Sequence, residues 1–299
     1  MLLRTFFFFF CILCFSSQSQ SQISFWKKSD TLHTKRRNTL IVSKTICVSG
    51  TLFSLNELWY KDYPRSSFQF KNDNKDWKQM DKIGHLTTAY YLGKIGMESL
   101  SWAGLSKKNQ LIYGATLGFT FLTAVEVFDG FSKQWGASLG DVAANAAGTA
   151  LLIGQTLLWD EQRIILKYSF SQTKFAQQRP ETLGSNFLEQ TLKDYNGQTY
   201  WLSFNIWSFN KKKNFPKWLN VAFGYGTDGM LFSNNFSGNK LSQDPYRQFY
   251  LSLDADLSKI KTKSSFLKTL FSIVNFIKIP APTLEFNTKN GINIHYLYF

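Results

Sequence analysis

The sequence predicts an α+β protein associated with a membrane: a four-helix bundle followed by a strand-rich antiparallel sheet with one amphipathic helix. From Thr39 to about Asp160 the chain carries four apolar segments of helical length. After Asp160, apolar and polar residues alternate with the period of two that is typical of strands. Aromatic residues make up 17% of the chain and charged residues only 18%, a composition that favours apolar surroundings such as lipid.

The N-terminal segment has the order of a secretory signal peptide. Arg4 precedes an apolar run from Phe6 to Phe15, and small polar residues follow. The apolar run is too short to cross a bilayer as a finished helix. We therefore expect residues 1–22 to be a signal peptide and the protein to be exported; a retained N-terminal anchor is the alternative.

Cysteine use and net charge limit the classes of partner. Cys11 and Cys14 lie in the signal segment, which leaves Cys47 alone and excludes a disulfide framework. The net charge is +14, but no nucleic-acid-binding motif is present and export argues against nucleic acid. We expect an anionic membrane or lipid surface as partner, contacted by "FWKKSDTLHTKRR" and Lys211–Lys213. A solvated basic surface that maintains solubility is the alternative, and another envelope protein is a second possible partner.

Four helices are predicted in residues 27–160, the helical domain. They are "TLIVSKTICVSGTLFSLNELWY", a segment from about Trp77 to Trp102, "KKNQLIYGATLGFTFLTAVEVFDG" and "SLGDVAANAAGTALLIGQTLLWD". The last two have uncharged stretches near the lower length limit for crossing a bilayer, although helices buried in a soluble bundle would look similar. Small residues four apart, such as Ala144 and Gly148, predict close helix packing.

Residues 161–299 form the predicted strand-rich region, with about six strands. The strands are expected in "RIILKYSFS", "TYWLSFNIWSF", "KWLNVAFGYG", "YRQFYLSLDADL" and a closing hairpin "PTLEFNTKNGINIHYLYF", which turns at Asn-Gly. "SFLKTLFSIVNFIK" predicts an amphipathic helix suited to a membrane interface. Since single-chain membrane barrels start at eight strands, we expect a curved sheet that packs on the helices, a membrane or a partner.

Six polar residues interrupt the apolar helices and are predicted to meet at one end of the bundle. Asp81 and His85 open the second helix, Glu126 and Asp129 close the third, and Asp141 and Asn145 open the fourth. Short connections make successive helices antiparallel, so these three ends lie together.

Three hypotheses explain this cluster. In the first, it is a structural network that fixes helix register. In the second, it binds a divalent metal through His85, Glu126 and Asp141, a nitrogen and oxygen set that suits zinc, manganese or iron. In the third, it performs acid-base catalysis: His85, Glu126 and Asp129 are the candidate catalytic residues, and Asp81, Lys82, Asp141 and Asn145 the binding residues. The sequence has no phosphate-cradling glycine loop, Gly-x-Ser-x-Gly elbow or CxxC pair.

The order of these motifs resembles a known family. Asp-Lys-x-x-His at 81–85, Glu-x-x-Asp-Gly at 126–130 and Ser-x-x-Asp-x-x-x-Asn at 138–145 are similar to the YfiM-like family of uncharacterised predicted periplasmic lipoproteins, and more distantly to VanZ-like membrane proteins. The resemblance covers about residues 76–160. It implies a helical envelope protein and brings no established reaction. Leu13 stands where lipoproteins carry a small residue, which puts lipidation at Cys14 in doubt.

These observations predict a membrane-associated protein of the Gram-negative envelope, at the outer membrane or its periplasmic face. The final aromatic residue, Phe299, resembles the ending of outer-membrane β-proteins. We expect a non-enzymatic component that binds lipid or another envelope protein. The alternative is a hydrolase or transferase that acts on a lipid or cell-wall precursor at the His/carboxylate site.

Overall fold

The fold combines helices and one antiparallel sheet, as the sequence predicts. The computed structural model describes residues 25, 27–61, 63–211, 214–233 and 244–299. The predicted signal peptide and two of the lysines expected at a membrane, Lys212 and Lys213, lie outside the described residues. Helices fill most of the chain up to Trp159, and the sheet follows.

Among the described residues, four long helices form near the predicted places; the first begins at Thr34, five residues before the predicted Thr39, and a π-helical turn, Asn56–Tyr60, continues it to the predicted end. They are α1 (Thr34–Leu55), α2 (Met80–Trp102), α3 (Leu117–Gly130) and α4 (Leu139–Trp159). A short helix, Lys107–Asn109, and a π-helical turn, Gln110–Ala115, lead into α3. The predicted start of α2 at Trp77 is wrong by three residues. Residues 77–79 have positive φ angles of 45°, 48° and 67°, a left-handed backbone that an α-helix cannot contain.

Three of these helices pack together, so the predicted four-helix bundle is not confirmed. Tyr90 of α2 and Leu152 of α4 are buried with Ala115, which precedes α3. In α1, by contrast, the one buried residue is Arg36, whose guanidinium donates to the carbonyl oxygens of Lys27 and Trp102. Because α1 buries no apolar face, it lies beside the other three helices rather than completing a bundle.

Membrane association is likewise not confirmed by the fold alone. In the part of the chain that the structure describes, three helical segments are long and apolar enough to cross a membrane, by length and composition only: Thr34–Leu55, Lys107–Gly130 and Leu139–Trp159. The exposed apolar side chains of α1 include Ile41, Val42, Ile46 and Phe53.

Within the described residues, six strands form one meander in which each strand pairs with the next. They are β1 (Ile164–Phe170), β2 (Gln198–Asn205), β3 (Leu219–Asp228), β4 (Tyr246–Ala255), β5 (Ala281–Asn287) and β6 (Gly291–Tyr298). The predicted hairpin is confirmed between β5 and β6, where Gly291 has a φ of 73° that suits glycine. The strand count and the antiparallel pairing are also as predicted.

Short helices separate some of these strands. Between β1 and β2 lie α5 (Lys174–Gln178), α6 (Pro180–Leu183) and α7 (Phe187–Lys193). After β2 comes α8 (Ile206–Asn210), and between β4 and β5 lies the predicted amphipathic helix, α9 (Ser265–Val274). The prediction that the second strand continues through "IWSF" is wrong. The Asn205 side chain accepts a hydrogen bond from the Ser208 amide and thereby caps a helix there.

The sheet is curled, and its first strand packs on the helices. Leu166 of β1 joins the buried cluster of Tyr90 and Leu152. The free edge of β1 pairs with the segment after α9, since the Tyr168 amide donates to the Phe276 carbonyl and the Lys278 amide to the Tyr168 carbonyl. Ser171, which follows β1, donates to the carbonyl oxygen of Phe299, so the first and last strands approach each other at one end.

Candidate functional site

A cavity of about 680 Å³ lies where the ends of α2, α3 and α4 meet. Acidic side chains and His85 form one side of it. Aromatic side chains form much of the rest: Tyr60, Tyr63, Trp77, Trp135 and Tyr195.

The structure places the sequence-predicted residues together at this cavity. Asp81 and His85 lie in the first turns of α2, Glu126 and Asp129 in the last turns of α3, and Asp141 in the first turn of α4. All five line the cavity, and Asn145 lies one turn deeper on α4.

The start of α4 is positioned by its N-cap. The Ser138 hydroxyl accepts a hydrogen bond from the Asp141 amide at 3.2 Å, which satisfies one of the free amides of the first turn. The Ser138 amide donates to Oε2 of Glu126 at 2.8 Å. One residue therefore fixes both the helix start and the carboxyl group of the neighbouring helix.

His85 bridges α4 and the carboxylates. Its Nδ1 lies 3.1 Å from Oδ1 of Asn145, and an N–H at Nδ1 can donate to that amide oxygen. Its Nε2 lies 3.8 Å from Oε1 of Glu126 and 4.0 Å from Oδ1 of Asp81. Burial lowers the pKa of His85, but the charges of Asp81, Asp141 and Glu126 outweigh it and the pKa is raised.

Three carboxyl groups of the site hold their protons unusually well. Glu126 is only 3% exposed, and burial raises its pKa to about 7, although the Ser138 amide opposes the rise. Burial also raises the pKa of Asp129 and of Asp141 to about 6. The Tyr60 hydroxyl donates to Oδ1 of Asp129 at 2.8 Å, which limits the rise there.

Lys82 is the ammonium group within this cluster. Its Nζ lies 2.7 Å from Asp73, 2.8 Å from Asp141 and 3.5 Å from Asp81. Burial lowers the pKa of Lys82, but the hydrogen bonds to Asp141 and Asp73 together with the charges of Asp81 and Asp141 outweigh it, so the pKa is raised. Among the described residues, the cluster combines one lysine and one histidine with five carboxyl groups, those of Asp73, Asp81, Glu126, Asp129 and Asp141. The residues that line the cavity also include the acidic Asp76 and Glu181 and the basic Lys71 and Lys193, so its carboxyl groups outnumber its cationic groups.

Sequence reasoning missed three polar members of the site. Asp73 precedes α2 and is held there because the amide of Lys71 donates to the carbonyl of Ala137, next to Ser138. The Ser138 hydroxyl then donates to Oδ1 of Asp73 at 2.6 Å. Tyr195, far along the chain, donates its hydroxyl to Oδ1 of Asp81 at 2.9 Å, and Tyr60 binds Asp129 as described above. Tyr60 ends a π-helical turn that continues α1, and Asp73 and Tyr195 lie outside the long helices, so no spacing within the predicted motifs links any of the three to the cluster.

A metal could be held by part of this set. Asp81, His85 and Asp141 each offer a ligand atom, and these atoms all lie within 4.8 Å of one another. Of the set predicted from the sequence, Glu126 lies outside this group, though close to His85 Nε2. The contact of Nδ1 with Asn145 orients the ring as an outer partner orients a metal-binding histidine. The donors suit zinc, manganese or iron.

One comparison with known proteins gives a match. Residues 69–155 match a family model described as "Predicted periplasmic lipoprotein (DUF2279)". No curated protein and no solved structure matches the chain. The matched segment contains every polar residue of the cluster apart from Tyr60 and Tyr195, and it ends before the sheet begins. This match supports the predicted location: the protein is exported to the periplasmic envelope.

Proposed function

We propose that the cavity is an acid-base site at which a glycosidic bond of a cell-wall or lipid-linked precursor is hydrolysed or transferred. The observation that carries this proposal is the pair Glu126 and His85: a buried carboxyl group with a pKa of about 7, and an imidazole nitrogen 3.8 Å from it, in an open cavity. A carboxyl group that is half protonated near neutral pH is suited to act as a general acid.

The charge and the walls of the cavity favour a sugar over a phosphate. The carboxyl groups of the cavity outnumber the nearby ammonium groups of Lys71, Lys82 and Lys193 and disfavour an anionic phosphoester, whereas a glycosidic bond carries no charge. Aromatic side chains such as Trp77, Trp135 and Tyr195 offer flat apolar faces, which suit the apolar face of a sugar ring.

The residues can complete one reaction cycle. Protonated Glu126 donates its proton to the leaving sugar oxygen as the carbon–oxygen bond breaks. Water, or an acceptor hydroxyl, adds to the sugar carbon and gives its proton to Asp81, the more exposed carboxylate, which also accepts from Tyr195. His85 lies between Asp81 and Glu126 and returns this proton to Glu126, so that the site regains its starting state.

The test is Glu126→Gln, which keeps the acceptor for the Ser138 amide and removes the transferable proton. We expect the release of soluble fragments from purified wall sacculi to fall by about 10²–10⁴-fold, the usual contribution of a general acid. The same variant should accumulate normally and fail to rescue a deletion strain. Glu98→Gln, on the same helix as His85 but paired with Lys94, is the matched control and should behave as wild type. Rescue by Glu126→Gln would overturn the proposal.

A second candidate is a non-enzymatic envelope component that binds lipid or another envelope protein, with the cluster as a structural network. The observation in its favour is Lys82, which links α2 to Asp141 of α4 and to Asp73 of the preceding loop. Under this candidate, His85→Ala lowers the melting temperature by several degrees, and the rescue of a deletion strain follows protein level alone.

A further inference from the structure

The sheet has an inverted polarity: polar side chains on its inner face and apolar side chains on its outer face. In water-soluble antiparallel sheets, the apolar face is the one that is covered. Here the buried side chains of β2 include Ser203 and Asn205, whereas Leu202 between them is exposed. The same alternation holds in β3, where Asn220 and Ala222 are buried and Phe223 is exposed.

Charged and polar side chains of the inner face pair with one another. Lys167 of β1 and Asp254 of β4 are fully buried and lie 2.9 Å apart. The Ser203 hydroxyl donates to the same carboxylate at 2.6 Å. Tyr250 packs between Trp201 and Tyr298, with ring centroids 5.6 and 4.6 Å away. Because these charged side chains and rings pair with one another inside the curled sheet, the outer face is the one that contacts the surroundings.

Pairing between strands arranges the outer side chains in three rows without a charged residue. The first row is Leu202, Phe223, Leu251, Leu284 and Ile294; the second is Tyr200, Tyr225, Phe249, Phe286 and Ile292; the third is Phe204, Val221 and Leu253. Phe223 is 51% exposed and Ile294 69%. Tyr200 lies against Gly84 of α2, and the Tyr225 hydroxyl donates to the Lys78 carbonyl, so these two side chains face the helices. The other members of the rows on β3–β6 form an apolar band, the outer band.

One end of the outer band carries lysine and tryptophan. The connection between β2 and β3 contains Lys217, whose ammonium lies 4.3 Å from the ring centroid of Trp207, and the exposed Trp218. β4 ends opposite the start of β3, so the segment after it, with Lys259, Lys261 and Lys263, lies at the same end. Tryptophan and lysine together are typical of the level of lipid headgroups, and the lysines favour anionic ones.

Strand length and the neighbouring helix agree with a lipid environment. β3 and β4 have 10 residues each, against about 9–11 for strands that cross the hydrocarbon region. The amphipathic helix α9 connects to β5 at the lysine-rich end and exposes Phe266, Leu270 and Ile273. An uncharged band with a lysine- and tryptophan-rich end matches the profile of a lipid bilayer, and a protein partner would not require it.

We propose that the outer band of β3–β6 is seated among the acyl chains of an anionic phospholipid bilayer, with the lysine- and tryptophan-rich end at the headgroups. In a bilayer this inverted arrangement is the expected one, since the apolar face contacts lipid and the polar face is enclosed. This surface is separate from the acid-base cavity and does not depend on its chemistry.

The test uses full-length protein reconstituted into vesicles of phosphatidylethanolamine and phosphatidylglycerol. In a variant whose three cysteines are serine, single cysteines replace Phe223, Phe249 or Ile294 and carry a fluorescent label. Leu188 on α7, 69% exposed, is the matched control position. We expect lipids brominated on their acyl chains to quench the three outer-band labels several-fold more than the Leu188 label.

Charge is tested separately with Lys261→Gln combined with Lys263→Gln. We expect vesicles that contain phosphatidylglycerol to bind this variant several-fold more weakly, and purely zwitterionic vesicles to bind it as they bind wild type. Quenching equal to that at Leu188 would overturn the proposal, and so would crosslinks between outer-band cysteines of two copies that persist in lipid. Glu126→Gln should leave the quenching unchanged, which separates this proposal from that of the cavity.

Discussion

At the scale of single residues, burial sets the chemistry of Glu126. Its neighbours supply one amide and one imidazole, which do not offset the loss of water around a carboxylate that is 3% exposed. Glu126, which the Glu-x-x-Asp-Gly motif singles out in the sequence, is therefore also a side chain whose pKa is raised to about 7. Ser138, whose amide donates to Glu126, also donates its hydroxyl to Asp73.

The raised pKa of Glu126 makes stability depend on pH in a defined direction. Between a pKa of 4.5 in the unfolded chain and about 7 in the folded chain, the folded state binds more protons, so stability falls as pH rises through that window. Glu126→Gln should therefore melt near the wild-type temperature at pH 5 and a few degrees above it at pH 8. Thermal melts over this range, with Glu98→Gln as control, test this; a difference independent of pH would contradict it.

Metal binding is also decided by individual side chains. If Asp81, His85 and Asp141 hold a divalent ion, elemental analysis of the detergent-purified protein should find about one zinc, manganese or iron per chain. His85→Ala and Asp141→Asn should each abolish it, while Glu98→Gln should retain it. A bound ion that survives both substitutions would place the metal elsewhere.

At the scale of helices, close backbone contact explains the small residues in the sequence. A Cβ atom on Gly148 would lie 2.0 Å from the carbonyl oxygen of Leu86, and one on Gly118 would lie 2.1 Å from that of Ala89. The spacing predicted that helices approach closely. The partner carbonyls, both on α2, are visible only in the folded protein.

Substitutions of two glycines of α4 separate the effect of this packing from the effect of helix propensity. Gly148→Ala forces α2 and α4 apart and should lower the free energy of unfolding by about 1–3 kcal/mol. Gly154→Ala meets nothing within 4 Å and should raise it by up to about 1 kcal/mol, since alanine favours helix. Thermal or denaturant unfolding of the two variants measures both effects. Equal effects would show that the helices do not depend on this contact.

At the scale of the whole molecule, the helices and the sheet share buried contacts. Leu166 of β1 packs with Tyr90 and Leu152, and the Tyr91 hydroxyl donates to the Leu166 carbonyl. Just before α2, Arg247 of β4 donates to Oε1 of Gln79 at 2.6 Å. Tyr195, from the second half of the chain, lines the cavity and donates to Asp81. The cavity is thus supported by both halves of the chain, although the family match covers the helices alone.

These shared contacts predict that the two halves unfold together. Leu166→Ala should cost about 2–5 kcal/mol, as removal of buried leucine side chains does, and Leu188→Ala on the surface should cost little. Hydrogen exchange measured by mass spectrometry should show protection falling in parallel in α2 and β2. Loss in the sheet with full protection in α2 would show that the halves are independent units.

The sequence by itself determined the elements and most of the cluster. Helical spacing and two-residue alternation are local signals, so α2, α3, α4 and the six strands lie near their predicted places, and three motifs at helix ends located Asp81, His85, Glu126, Asp129, Asp141 and Asn145. The tertiary structure alone decided the exposure of α1, the capping of α8 by Asn205, the entry of Asp73 and Tyr195 into the site, and the covering of the polar face of the sheet. Most of these depend on contacts between segments that are distant along the chain, and the helix at Asn205 depends on competition between a local cap and a strand. A periodic sequence pattern contains no information about either.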